Sequence, residues 1–221
     1  IWLRSSFRHQ HDLSVRGGND KTSYSVSTGY VYQPGILNFV EDIDNYSRFN
    51  INGGVETDVT SWLKLTYRSR YSYETTKDPN FEYGQGRSRA YEFAYGAWPV
   101  TPVKNPDGVY NEGTRIATGI GGGHQTTVYH RLDNILALDF NLAKGWTAHV
   151  DGTWRMNFKD YQSLKMPVYG LRPSGDKFLM GGTESSLAKH TGMTRYWTIQ
   201  GYTAYEHQIK KHNIRIQLGA Q

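Results

Sequence analysis

Cysteine is absent from the 221 residues, which excludes a disulfide framework and a thiolate metal site. Long apolar runs are absent as well, and no stretch approaches the roughly 18 consecutive apolar residues of a membrane-spanning helix. Apolar residues make up only 37 % of the chain and the mean hydropathy is −0.67, little for a domain that must fill a core. A leader is not visible: the chain opens at Ile1-Trp2-Leu3 without an initiator Met, a basic stretch or an apolar one. It closes at Gln221 inside the alternating run Ile214, Ile216, Leu218. We therefore read it as an excerpt of a longer polypeptide, and the missing leader says nothing in favour of the cytoplasm. What is present in excess is aromatic: 14 % of residues, with Tyr 17, Phe 8 and Trp 6, beside Gly 24. That content argues against disorder. The charge balance of 25 basic against 20 acidic residues gives a mildly basic +5.

The periodicity is two. Tyr24, Val26, Thr28, Tyr30 and Tyr32 alternate with Ser23, Ser25, Ser27, Gly29 and Val31, as in a strand with one apolar and one polar face. Phe49, Ile51 and Val55 alternate with Arg48, Asn50, Asn52 and Glu56, and Leu63, Leu65, Tyr67, Tyr71 and Tyr73 with Lys64, Thr66, Arg68, Arg70 and Ser72. Leu132, Leu136, Leu138 and Phe140 oppose Arg131, Asp133 and Asp139; Trp146, Ala148, Val150, Trp154, Met156 and Phe158 oppose His149, Asp151, Thr153, Arg155 and Asn157. Ile135 and Ala137 fall on the polar side. With 11–17, 194–209 and 212–221 the count is about eight strands, most of them near or above the roughly 9 to 11 residues that a tilted strand needs to cross a bilayer.

The connections alternate short and long. Gly18-Asn19-Asp20-Lys21, Asp58-Val59-Thr60-Ser61, Ala143-Lys144-Gly145 and Lys210-Lys211 read as tight hairpin turns, made of residues that tolerate turn geometry. Between them lie long connections over roughly 33–46, 74–127 and 159–193. Short turns at one end and long loops at the other predict an all-β, antiparallel, up-and-down transmembrane barrel with periplasmic turns and extracellular loops. The low apolar content then has a reason, because only the lipid face must be apolar. Tyr30, Tyr32, Tyr71 and Tyr73 near one strand end and Trp62 and Trp146 near the other are expected to form interfacial girdles. The bland alternative is a β-sandwich that half-buries these rings.

The segments His11-Asp12-Leu13-Ser14-Val15-Arg16-Gly17-Gly18, Lys21-Thr22-Ser23-Tyr24 and Gly29-Tyr30-Val31-Tyr32-Gln33-Pro34-Gly35-Ile36 resemble the start of the barrel in SusC-type (SusC/RagA-like) TonB-dependent transporters of Bacteroidetes. Arg48-Phe49-Asn50-Ile51-Asn52, Trp62-Leu63-Lys64-Leu65, Pro106-Asp107-Gly108-Val109-Tyr110 and His212-Asn213-Ile214 are similar to later segments of that family. The resemblance implies that residues 1–221 belong to one barrel domain of about 22 strands with a plugged lumen, the plug and remaining strands lying outside this chain. It implies active import of glycans or peptides through the outer membrane, together with a SusD-like lipoprotein and the TonB complex, without a catalytic role or a cofactor.

Candidate residues divide into two groups. Arg87, Arg89, Tyr91, Tyr95, Trp98 and Tyr110, in the longest connection, mix rings that stack on sugars with groups that bind hydroxyls or peptides. The same residues suit contact with a lipoprotein lid, or mere packing of the loop on its neighbours. Arg68, Arg70, Asp133, Asp139, Asp151 and Arg155 are expected on the lumen wall. His9-Gln10-His11 places two imidazoles on one face but supplies no third metal ligand, so no metal is expected. Gly119-Ile120-Gly121-Gly122-Gly123-His124 lacks the Gly-Lys-Ser/Thr of a phosphate loop and reads as flexible loop. The acids at 133, 139 and 151 do not assemble a glycosidase pair by sequence, and no nucleophile elbow occurs. Nucleic acid is not expected as a partner, since the +5 is spread along the chain. A passive porin, a closed eight-stranded barrel and a secreted β-sandwich carbohydrate-binding module are the rival classes.

Overall fold

The computed structural model describes residues 3–38, 43–80, 92, 100–102, 104–109, 111, 119, 121–172, 174–182 and 184–221. Alternating side chains of opposite polarity cannot be satisfied in a helix, and the described chain runs almost wholly as strands. They are β1 (His9–Gly18), β2 (Thr22–Pro34), β3 (Asn45–Thr60), β4 (Leu63–Pro79), β5 (His124–Ala143), β6 (Trp146–Lys165), β7 (Val168–Leu171), β8 (Lys177–Gly181), β9 (Ser186–Ile209) and β10 (His212–Ala220). Eight form one antiparallel sheet in the order β1-β2-β3-β4-β5-β6-β9-β10, and β7-β8 form a separate hairpin. Neighbours in sequence are neighbours in space, apart from that hairpin, so the sheet is an up-and-down meander. Among the described residues β1 and β10 do not pair with each other, so this is not a closed eight-stranded barrel. Nor, among the described residues, does a second large sheet cover the first, as a sandwich requires.

All four short turns lie at one end of the sheet. Asn19 closes the first by accepting the Lys21 and Thr22 amides on its side-chain oxygen at 3.0 and 2.9 Å. The second is tighter than the sequence suggested: Asp58–Thr60 remain in β3 with a register shift, and Ser61-Trp62 make the turn. Gly145, at φ +77°, could not be replaced cheaply, because a Cβ there would run into the Glu206 carbonyl. Register shifts in the large sheet occur only beside two of these turns, at Asp58/Thr60 and Asn141/Ala143. Elsewhere the ladder is unbroken from β1 to β10.

At the other end the strands run further than their amphipathic stretches. Residues 74–79 and 124–127 pair with each other, as do 159–165 with 186–192; both were expected as loop. The physical reason is that Asp160, Gln162, Lys159 and Lys189 are polar on both faces, so period two carries no hydrophobic signal there. At about 3.3 Å per residue a strand of this kind spans roughly 65 Å, far more than a tilted strand needs for an apolar band about 25 Å tall. β6, with 20 residues, and β9, with 24, therefore project well beyond it.

The direct register partners show how the two faces separate. One row reads His11–Tyr30–Phe49–Tyr73–His130–Phe158–Met193 across seven strands. It is an aromatic belt: Tyr73 meets His130 edge-on at 5.0 Å, and His130 lies 5.8 Å from Phe158. Near the short turns Trp62 stacks on Phe140 at 6.2 Å, and Trp146 sits opposite Tyr205. Between the belts the same face carries Leu13, Val26, Ile51, Leu136, Val150, Trp197, Ile199 and Leu218, all exposed, Trp197 to 71 %. Asn134 and Arg195 are polar exceptions on it; Asn134 accepts the Tyr67 hydroxyl at 2.9 Å, and Arg195 is the register partner of Met156. Among the described residues the buried apolar set is only Val31, Leu37, Val168 and Ala204. The described residues build no conventional core; their apolar side chains form an outward band.

Candidate functional site

The opposite face of the sheet is polar, and it holds all six strand residues picked out by sequence. Arg70, Asp133 and Arg155 are consecutive partners in one row; Lys64, Asp139 and His149 share another, and Asp151 lies beside Gln200. The strands hold these side chains together because period two puts every second residue on this face.

The groups interact as chains of charge-assisted hydrogen bonds. The Arg155 guanidinium donates to Asp133. Arg70 Nε donates to Asn52 Oδ1 at 3.0 Å, and Asn52 Nδ2 to Ser27 Oγ at 3.1 Å. His149 bridges two carboxylates, with Nδ1 at 2.6 Å from Asp139 and Nε2 at 3.1 Å from Asp151, while Gln200 donates to Asp151 at 2.9 Å. Lys64 pairs with Glu56 at 2.9 Å and Arg215 with Glu206 at 3.3 Å. Such partly exposed pairs contribute about 0–1 kcal/mol each. Their main effect is positional: they fix the ends of long side chains along a wetted wall. Ile135 and Ala137 do lie on this face, opposite Arg68 and Thr66.

Above the sheet, the long connections are fastened to it by buried asparagine. Asn80, 2 % exposed, donates through Nδ2 to Ser163 Oγ at 3.0 Å and to the Leu164 carbonyl at 2.8 Å. Its amide bonds to Gly123 O, and the Met166 amide to Gly122 O. Gly123, at φ +94°, leaves no room for a Cβ against the Leu164 carbonyl. The segment 105–109 is a turn, with Asn105 N on Val109 O at 2.7 Å and Gly108 at φ +84°. It docks on the small hairpin: Asn111 bridges Leu171 in parallel, and Asn105 Nδ2 reaches Leu171 O at 3.4 Å. Thus two long connections form one crown. Over β2–β3, Leu37 is fully buried and bridges Leu3, and Leu37 N reaches Asp44 Oδ2 at 3.4 Å.

Arg87, Arg89, Tyr91, Tyr95, Trp98 and Tyr110 lie outside the described residues, as does most of the run from 112 to 120. His9 and His11 face each other at 5.4 Å, but they belong to the aromatic belt beside Tyr30 and Tyr32. No group of three or more metal-ligating side chains occurs among the described residues. Sequence reasoning missed Asn80, Ser163, Asn105 and Asn111. A lone Asn in a polar connection carries no periodic signal, although the Pro79-Asn80 step at the end of an alternating run marks where a strand stops.

No protein-family model and no curated protein matches the chain. Solved structures do. A chain in the structure of the RagAB peptide importer in the closed-closed state superposes with a TM-score of 0.70 at 18 % identity, over 99 % of this chain and 24 % of that one. A second RagAB peptide transporter structure gives 0.70 at 16 %, over 98 % and 24 %, and the open-open state of the importer gives 0.66 at 16 %, over 98 % and 24 %. The chain thus spans about a quarter of the length of the structures it resembles. The fold is that of transmembrane up-and-down β-barrel wall.

Proposed function

We propose that the chain is part of the barrel domain of a SusC-type, TonB-dependent importer in the Gram-negative outer membrane, and that its cargo is peptide. The observation that carries this reading is the two-faced meander itself. An apolar band between two aromatic belts is matched to lipid, and a mostly polar reverse face is matched to water inside a wide barrel. On this reading Arg68, Arg70, Asp133, Asp139, Asp151 and Arg155 line the lumen. The fold likeness to peptide importers over nearly the whole chain supports the transport class. Peptide is favoured over glycan because the described polar face is rich in guanidinium and carboxylate groups that match peptide termini, and poorer in the aromatic platforms on which sugars stack.

The wall binds and passes cargo; it performs no covalent chemistry. Cargo or a SusD-like lipoprotein would be met by the connection that carries Arg87, Arg89, Tyr91, Tyr95, Trp98 and Tyr110. Energy would arrive from the TonB complex through a plug outside residues 1–221. Cells lacking the gene for the intact protein should fail to grow on oligopeptides as the limiting nutrient and should grow normally on free amino acids. Undiminished growth on every peptide and glycan source would sink the import reading; a defect confined to glycans would change the cargo and leave the class intact.

A further inference from the structure

One stretch of the polar face departs from the paired pattern described above. Arg16, Ser25, Gly54 and Arg68 are consecutive partners in a single row across β1, β2, β3 and β4. Arginine therefore stands on both sides of a floor two strands wide made of a hydroxyl and a bare backbone, the arginine-bearing strands lying roughly 15 Å apart by strand spacing. Two contiguous hollows of about 280 and 300 Å³ share Ser25, Gly54 and Arg68 as lining. Neither Arg16 nor Arg68 has a carboxylate within 4.0 Å among the described residues, and Arg70, which borders the same hollow, is held only by the neutral Asn52. Opposite charge in the hollows is confined to Glu56, taken up by Lys64 at 2.9 Å, and Asp133, taken up by Arg155. Four arginines, at 16, 68, 70 and 155, thus line the hollows with two anions, both already paired.

A guanidinium presents a fork of donors that fits a carboxylate, and among the described residues no such acceptor engages Arg16, Arg68 or Arg70. We propose that the Arg16–Arg68 trough is a subsite for the carboxylates of acidic peptides in transit, with the Ser25 hydroxyl as an additional donor and Gly54 allowing close approach to the backbone. The proposal rests on the import reading and specifies its cargo: peptides bearing Asp or Glu are preferred over their amide counterparts.

The test uses the full-length transporter, with two fluorescent octapeptides that differ only in having four Asp or four Asn. Wild-type protein should import both in cells and, in detergent, bind the Asp peptide more tightly, with the preference shrinking as salt rises. In an R16Q/R68Q variant, affinity for the Asp peptide should fall about tenfold, the order expected for charge-assisted bonds, while the Asn peptide is unchanged; R68K should retain part of the preference. Equal loss for both peptides, or no loss for either, overturns the subsite while import stands. Should the double variant not fold, a wild-type preference that salt does not alter overturns it equally. If wild-type cells import neither peptide, the proposal falls together with the import reading.

Discussion

Replacing Asn80 with alanine should loosen the crown without unfolding the sheet. The side chain is buried and donates two hydrogen bonds, to Ser163 Oγ at 3.0 Å and to the Leu164 carbonyl at 2.8 Å. Ser163 is itself only 5 % exposed, so water cannot readily replace the lost donor. Each bond is worth about 1 kcal/mol net, and leaving an acceptor buried and unpaired costs about 1–3 kcal/mol. Asn80 Oδ1 is buried without a partner, so removing it returns part of that cost. The balance is about 2 kcal/mol, or roughly a 30-fold rise in local opening. Hydrogen exchange on the full-length protein in detergent reads this directly. The Met166 amide, which bonds to Gly122 O at 3.1 Å, and the amide at position 80, which bonds to Gly123 O at 3.0 Å, should exchange about 30-fold faster. Amides in the middle of β5 and β6 should not change. Asn80→Asp should be worse, since it removes the donors and sets a carboxylate against a carbonyl. Protection unchanged within about threefold at both amides would falsify the claim that Asn80 fastens the crown to β6.

Other substitutions separate the two faces and the turns. Leu136→Arg, in the outward apolar band, should cost about 2–4 kcal/mol in lipid, whereas Ile135→Thr, one residue away on the polar face, should stay within about 0.5 kcal/mol; folding into vesicles at graded urea measures both. Arg155→Ala should change stability by no more than about 1 kcal/mol, because its pair with Asp133 is half-exposed, 49 % and 26 %, and such pairs are weak. Gly123→Ala should be far more damaging than Gly108→Ala, as thermal melting of the full-length protein would show. Both have positive φ, costing about 1 kcal/mol, but only at Gly123 does the added carbon collide with backbone.

The strands were legible wherever one face meets lipid and the other water, as in Tyr24–Tyr32 or Trp146–Phe158, because that contrast writes itself into alternate residues. It was lost in Lys159–Lys165 and Ser186–Gly192, where water bathes both faces and pairing leaves no mark on polarity. The girdles could be read from Tyr73 and Trp62, since their chemistry is interfacial. His130 joining the upper belt could not be, because an imidazole in an alternating run fits either face until the register is known. The six polar wall residues fell on one face because parity alone decides it. Which of them pair, and that Arg16 and Arg68 meet no carboxylate among the described residues, depends on strand register, which no single strand encodes. The crown was the least legible part, being built from single asparagines and glycines whose partners lie 83 or 84 residues away in sequence.

The confinement of register shifts to the short-turn end has a mechanical meaning. Between the belts each strand is bonded to its neighbours rung after rung, with no bulge at which the sheet could hinge or slip. Sliding any strand by one residue would turn its lipid face toward water, and sliding it by two would break a whole ladder at once. Such a wall behaves as a stator. It resists being pulled along its strands and it does not widen on demand; on the proposed import function, whatever moves must move against it.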